Sequence, residues 1–173
     1  MADNDERGLV NAFNRYFKEN CMNGISIRKK QHRFSSQHLD ILVLSADAQD
    51  LAIEHKSFKT SSSKKLYFSQ HFSTDTKEDE LQGGHQIRRI RDFELKSGLE
   101  TYLAVEVRRG RGTGKEMYMV DWDTVFDHFQ DWDNDKDDAR SGFGREWFKE
   151  NAVEVEREGG EWQLPEGIVQ EKQ

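Results

Sequence analysis

Glu54 and Lys56 stand two residues apart in LAIEHKS, residues 51–57, where Leu51 and Ile53 alternate with Ala52, Glu54 and Lys56. A strand of period two sets Glu54 and Lys56 side by side on one face. Residues 39–45 are an apolar run with Asp40 near its start, and Ala46-Asp47-Ala48-Gln49-Asp50 separates the two segments as a turn. A hairpin of these strands carries Asp40 back towards the end of the second one. Two carboxylates and a lysine then converge at one end of a sheet, a set suited to hydrolysing a phosphodiester. The carboxylates hold Mg²⁺, a hard cation that prefers oxygen. The metal polarises the phosphate and lowers the pKa of a bound water. The lysine orients that water or offsets charge in the transition state. An acid-x-Lys triplet by itself is equally an ion pair on an exposed strand edge, so the surrounding elements decide between the two.

Those elements begin with a helix over residues 4–20, where Leu9, Val10, Phe13, Tyr16 and Phe17 share one face. Asp3 and Glu6 have the spacing of a capping box, and Asn23-Gly24 ends the helix. Glu6 has two readings: a first-turn acid favoured by the helix dipole, or a third carboxylate over the metal, with Arg7 reaching a phosphate. A short strand at 25–30 runs into Arg28, Lys29 and Lys30. With Arg33 these cations lie within a dozen residues of Asp40, and phosphate binding is the expected role. Phe34 either packs or stacks on a base. Residues 58–73 read as a basic loop with Lys59, Lys64 and Lys65, and 66–68 as a brief strand or packed patch. Residues 74–84 are a polar connection.

A second helix is expected over 85–97, with Ile87, Ile90 and Phe93 inward and Arg88, Arg89 and Arg91 outward, stopped by Gly98. The arginines are either DNA contacts or a plain exposed face. Gln86 reaches the site if this helix crosses over the sheet. A strand at 100–107, a glycine-rich basic hairpin tip at 108–115 that touches DNA, and a last sheet strand at 116–120 follow. The phosphate-loop pattern is absent from that tip. Asp123 is expected to cap a short helix through Phe129. Residues 131–138 read as a solvated acidic linker. Residues 141–150 read as a helix carrying Phe143, Trp147 and Phe148, and 152–164 as a hairpin about Gly159-Gly160. His55 lies between Glu54 and Lys56, so its side chain packs on the opposite face while its backbone carbonyl is placed to face the metal.

Composition narrows the function. The 173 residues carry a net charge of −7, unusual for a nucleic-acid enzyme until it is divided. Residues 119–173 hold 16 acids and 6 bases, while residues 1–118 hold 17 acids and 20 bases. The basic part suits a DNA-facing surface and the acidic part does not. These halves predict a core at 1–130 and an acidic C-terminal extension at 131–173. That extension is expected to cover an edge, pack on the core or bind a protein partner. No apolar run is long enough for a membrane helix, and the N-terminus lacks the pattern of a signal peptide. Cys21 is the only cysteine, which excludes internal disulfides and a thiolate zinc site. An intracellular location is the expectation.

The series of helix with Glu6-Arg7, strand to Arg28, Leu39-Asp40-Ile41-Leu42, Leu51-Ala52-Ile53-Glu54-His55-Lys56, Lys65-Leu66-Tyr67, Gln86–Phe93 and Tyr102-Leu103-Ala104-Val105 resembles the PD-(D/E)XK nucleases. Within them it is most similar to archaeal Holliday-junction resolvases of the Hjc type, over roughly residues 4–127. The resemblance implies a restriction-endonuclease-like α/β core, with a central mixed sheet of about five strands flanked by helices. It implies that Glu6, Asp40 and Glu54 hold Mg²⁺ or Mn²⁺ and that Lys56 assists the attacking water. Arg7 and Arg28 match the family's phosphate-contacting arginines, and a homodimer nicking branched DNA is the implied assembly. Leu39 stands where the motif has proline. The other expectations are a restriction-like or repair endonuclease of the same superfamily, or a catalytically idle relative that binds DNA or protein.

Overall fold

The computed structural model describes residues 3–29, 39–75 and 84–173. Along the chain run α1 (Asp3–Glu19), β1 (Gly24–Arg28), β2 (Ile41–Ser45), β3 (Leu51–Lys59), β4 (Lys65–Tyr67), β5 (Thr74–Asp75) and β6 (Gly84–His85). Then come α2 (Gln86–Ser97), β7 (Glu100–Arg108), β8 (Glu116–Asp121), α3 (Trp122–Asn134), β9 (Gly142–Gly144), α4 (Arg145–Asn151), β10 (Val153–Glu158) and β11 (Glu161–Gln163). The expectations for Lys30, Arg33 and Phe34, and for residues 76–83, lie outside the described residues, as does the Asp3 side chain.

The fold is α/β, with a mixed sheet ordered β1-β2-β3-β7-β8-β10-β11. Its central ladder is parallel, from Leu51 opposite Glu100 to Lys59 opposite Arg108, with α2 in the crossover. The other neighbouring pairs are antiparallel. The sheet has seven strands, not the expected five, and β8 is not its last strand. The extra two come from the acidic tail, where Val155 and Trp162 are buried while Glu154, Glu156 and Glu158 stay exposed. β10 pairs with β8, Val153 opposite Met119, burying Val155 alone of its residues and leaving its charges in solvent. Arg15 of α1 clasps the tail through Glu161 and the Trp162 carbonyl.

Helices cover both faces at the centre of the sheet, while Ile25, Ile27 and Leu44 stay exposed on the β1–β2 edge. Leu9, Phe13 and Phe17 of α1 pack with Ile41, Val43, Leu51, Ile53, Met117 and Met119. On the other face Ala52, Phe58, Leu103, Val105 and Val120 meet Ile87 and Ile90 of α2, Val125 and Phe129 of α3, and Phe148 of α4. The odd positions of β3 therefore face α1, and the even ones, Glu54 and Lys56 among them, face α2.

Several boundaries differ from expectation for local reasons. The helix α1 ends before Asn23-Gly24, because Cys21 takes the left-handed conformation at φ 53° and Met22 N–H returns to the Phe17 carbonyl at 2.9 Å. Gly24 instead admits the Phe17 ring, which a Cβ there would meet at 2.6 Å. The cap of α3 is Asp121, accepting from Thr124 N–H at 2.9 Å, and Asp123 sits in the first turn. That helix runs on to Asn134, through half of the expected linker, because Phe129 and Trp132 pack against Phe68. The helix expected over 141–150 is preceded by β9, and Gly142 there leaves no room for a side chain against the Leu66 carbonyl. The arginines of α2 tie it to its neighbours: Arg88 to Asp133, Arg91 to Asp123, and Arg89 to Ser73. No described helix is long and apolar enough to cross a membrane.

Candidate active site

The site forms where β2 leaves β3. Their pairing runs only from Leu51 to Ile53. Beyond Ile53, Asp40 turns away from the strand path: its N–H donates to the Ile53 carbonyl at 3.0 Å, and its Oδ2 accepts the His55 N–H at 2.8 Å. A carboxylate thus takes the place of a strand carbonyl on the open edge of β3. In an extended strand a residue's N–H and C=O point the same way, so the His55 carbonyl also lies on that edge. The His55 side chain is on the other face and 7% exposed.

On the α2 face Glu54 is 3% exposed. Its Oε1 accepts from Gln86 Nε2 at 2.7 Å and lies 3.1 Å from Lys56 Nζ. The ammonium also donates to Gln86 Oε1 at 3.1 Å and stands 5.2 Å from the centre of the Phe72 ring. Gln86, the first residue of α2, therefore closes a ring of contacts with the acid and the lysine. A cavity of about 420 Å³ opens over them, lined by Glu6, Asp40, Glu54, His55, Lys56, Gln70, His71, Phe72, Ser73 and Gln86.

The other sequence-derived candidates divide. Glu6 reaches the cavity with its Oε2 held by Arg28 Nε at 2.6 Å. Lys29 N–H donates to the Asp40 carbonyl at 2.7 Å, and the charges of Arg28 and Lys29 act on the Asp40 carboxylate. Arg7 is exposed on α1, Lys64 is exposed before β4 and Lys65 is half-buried on β4; none of the three lines the cavity. In the basic tip Arg109 pairs with Glu116 at 3.6 Å, while Arg108 and Lys115 converge on the buried Glu106.

Sequence reading missed Gln70, His71, Phe72 and Ser73. The signal was present in Phe68 and Phe72, four residues apart and both buried, which pin a helical turn between them. Gln86 ties this turn to the site, since Ser73 N–H donates to its Oε1 at 3.2 Å and its own N–H donates to the Ser73 carbonyl at 2.8 Å.

Both acids are costly to ionise. Burial pushes Glu54 up to about 8, Lys56 opposing and the nearby Asp40 adding to the rise. Burial likewise raises Asp40, against the His55 N–H and the Lys56 charge. Folded protein then keeps a proton on Glu54 that the unfolded chain releases. Without divalent cation, stability is fully present below about pH 4.5 and is lost as pH rises towards about 8. The expected slope is at most ~1.4 kcal/mol per pH unit. Denaturation in chelator across this range should show it, and Glu54→Gln should flatten it. Equal slopes in the two proteins would refute the coupling.

The donor set fits a hard divalent cation. Among the described residues the hydrogen bonds engage Asp40 Oδ2 and Glu54 Oε1, and both carboxylates line the cavity. No three His, Cys, Asp or Glu side chains among them form a ready-made cage. Mg²⁺ needs none, since one or two carboxylates plus waters and substrate phosphate commonly complete its shell.

No protein-family model matches the chain, and no curated protein does. Among solved structures it is similar to Hjc, a Holliday junction resolvase from the archaeal hyperthermophile Archaeoglobus fulgidus. The identity is 15% and the TM-score 0.41, covering 83% of this chain and 93% of that one. So distant a likeness leaves the site's own residues to carry the functional conclusion.

Proposed function

We propose that this chain is a divalent-cation-dependent endodeoxyribonuclease that nicks branched DNA. The observation that carries the reading is the meeting of Asp40, Glu54 and Lys56 in one cavity, from segments 14 residues apart, with Gln86 clasping the acid and the amine. The ordered series of sequence motifs, and not the site, points to a four-way junction as the substrate. Asp40 and Glu54 would hold Mg²⁺, or Mn²⁺ as its substitute, with the His55 carbonyl as a further oxygen donor and Glu6, which Arg28 engages, lining the same cavity. Such a cation supplies charge neutralisation at the phosphate and activation of a water.

The remaining steps belong to the protein. Water attacks phosphorus in line, one P–O ester bond breaks, and the products are a hydroxyl and a phosphate end. The His55 N–H fixes the Asp40 carboxylate, and the Gln86 amide fixes Glu54, so neither reorganises as charge moves. Lys56 Nζ donates to the attacking water or to a phosphate oxygen. Arg7, Arg28, Lys29, Lys30, Arg33, Lys64 and Lys65 contact phosphates along the strand. Two copies in a homodimer cut two opposing strands, and the acidic tail stays off the DNA and is open to a protein partner.

The test compares nicking of a synthetic four-way junction with cutting of linear duplex of the same sequence, in Mg²⁺ and in chelator. Cation-dependent nicking of the junction well ahead of the duplex is the expected result. Equal rates on both would mark a restriction-like or general repair nuclease. Binding without cleavage in either Mg²⁺ or Mn²⁺ would mark an idle relative and end the nuclease reading.

A further inference from the structure

We propose that His71 is a nucleic-acid contact of this site, donating an Nε2–H hydrogen bond to a phosphate oxygen of the bound strand. The assignment rests on the nuclease reading and adds to it a residue that none of the sequence motifs contains.

The backbone of Tyr67 orients the ring and favours one tautomer. Nδ1 accepts the Tyr67 N–H at 2.8 Å, so the proton of a neutral imidazole sits on Nε2. The Tyr67 ring lies nearly parallel to it, 14° apart with centroids at 6.2 Å. The turn that carries His71 is anchored by Phe68 and Phe72, 0% and 3% exposed. It is held to the catalytic cluster by Gln86, the amide that also holds Glu54 and Lys56. Among the described residues no acceptor takes the Nε2–H, and His71 is part of the cavity wall. The other titratable groups lining that cavity are Glu6, Asp40, Glu54, His55 and the cationic Lys56. Burial holds the imidazole below its ordinary pKa, with the Tyr67 backbone opposing and the Lys56 charge adding to the fall. A neutral donor beside an ammonium suits an anionic oxygen shared between them. It adds direction without a second positive charge to desolvate.

A purely structural role, accepting the Tyr67 N–H, is separable because two amides mimic the two ring nitrogens. Asparagine places an acceptor where Nδ1 stands but no donor at the reach of Nε2. Glutamine places a donor at that reach but loses the turn acceptor. Binding of the synthetic four-way junction is measured in chelator, so that affinity is read without cutting, alongside thermal unfolding of each variant.

The expected result is about tenfold weaker binding for His71→Asn at unchanged Tm, the usual loss for a hydrogen bond to a charged group. His71→Gln should recover most of the affinity despite a lower Tm. Wild-type affinity in His71→Asn, or losses in both variants that only follow Tm, would overturn the assignment and leave the nuclease reading standing. A wild-type protein that neither binds nor cuts DNA would remove both.

Discussion

Asp40→Asn is expected to lower cation-dependent cleavage by about 10³-fold or more without unfolding the protein. The asparagine carbonyl oxygen still accepts the His55 N–H, the bond by which Asp40 completes the open edge of β3. What is lost is the carboxylate charge that Asp40 brings to the cavity. Removal of that charge also relieves Glu54, whose ionisation Asp40 opposes. The variant's Tm near pH 8 should therefore match or exceed that of the wild type in chelator. Single-turnover cleavage and thermal unfolding, run on one preparation, check both parts. A loss of activity that tracks a fall in Tm would show a structural role instead.

Lys56→Met should cost about 10²–10³-fold in the cleavage rate. Methionine keeps an apolar stem beside the buried Phe72 and removes the ammonium that stands 3.1 Å from both Glu54 and the Gln86 amide oxygen. The pH dependence should move as well. Lys56 is the main charge that eases ionisation of Glu54. Without it Glu54 deprotonates at higher pH, so the rising limb of the pH–rate profile shifts upward. Lys56→Arg should restore the position of that limb better than the rate, because a planar fork does not replace a compact ammonium at this contact. An unshifted limb in Lys56→Met would separate the lysine from Glu54.

Local periodicity explains which parts were legible in the sequence. The alternation in residues 51–57 announced a strand and placed Glu54 and Lys56 on one face, and the apolar run at 39–45 announced its partner. Gln86 was legible as a residue at the start of a helix, and its reach across to the acid depended on how α2 crosses the sheet. The extra strands were less visible. Residues 152–164 read as a hairpin, yet only the free edge of β8 makes β10 part of the main sheet, and pairing over that distance leaves no local mark.

The turn at 69–73 was read as loop because its polar residues carry no period. It is placed by Phe68 and Phe72 entering a core built from α3 and β9. The Glu6–Arg28 pair spans 22 residues and two elements, so neither reading of Glu6 could anticipate that its partner would be Arg28. The helix expected over 4–20 is found within a residue, but Cys21 at its left-handed end, where glycine is the usual residue, hid what stops it.

For the proposed chemistry one ion must reach both Asp40 Oδ1 and Glu54 Oε2. Crystals soaked in Mn²⁺, with anomalous differences recorded at the manganese edge, measure this directly. A single peak about 2 Å from both oxygens is the predicted result. A protein whose only manganese lies elsewhere, or touches one of these two carboxylates and not the other, would contradict it.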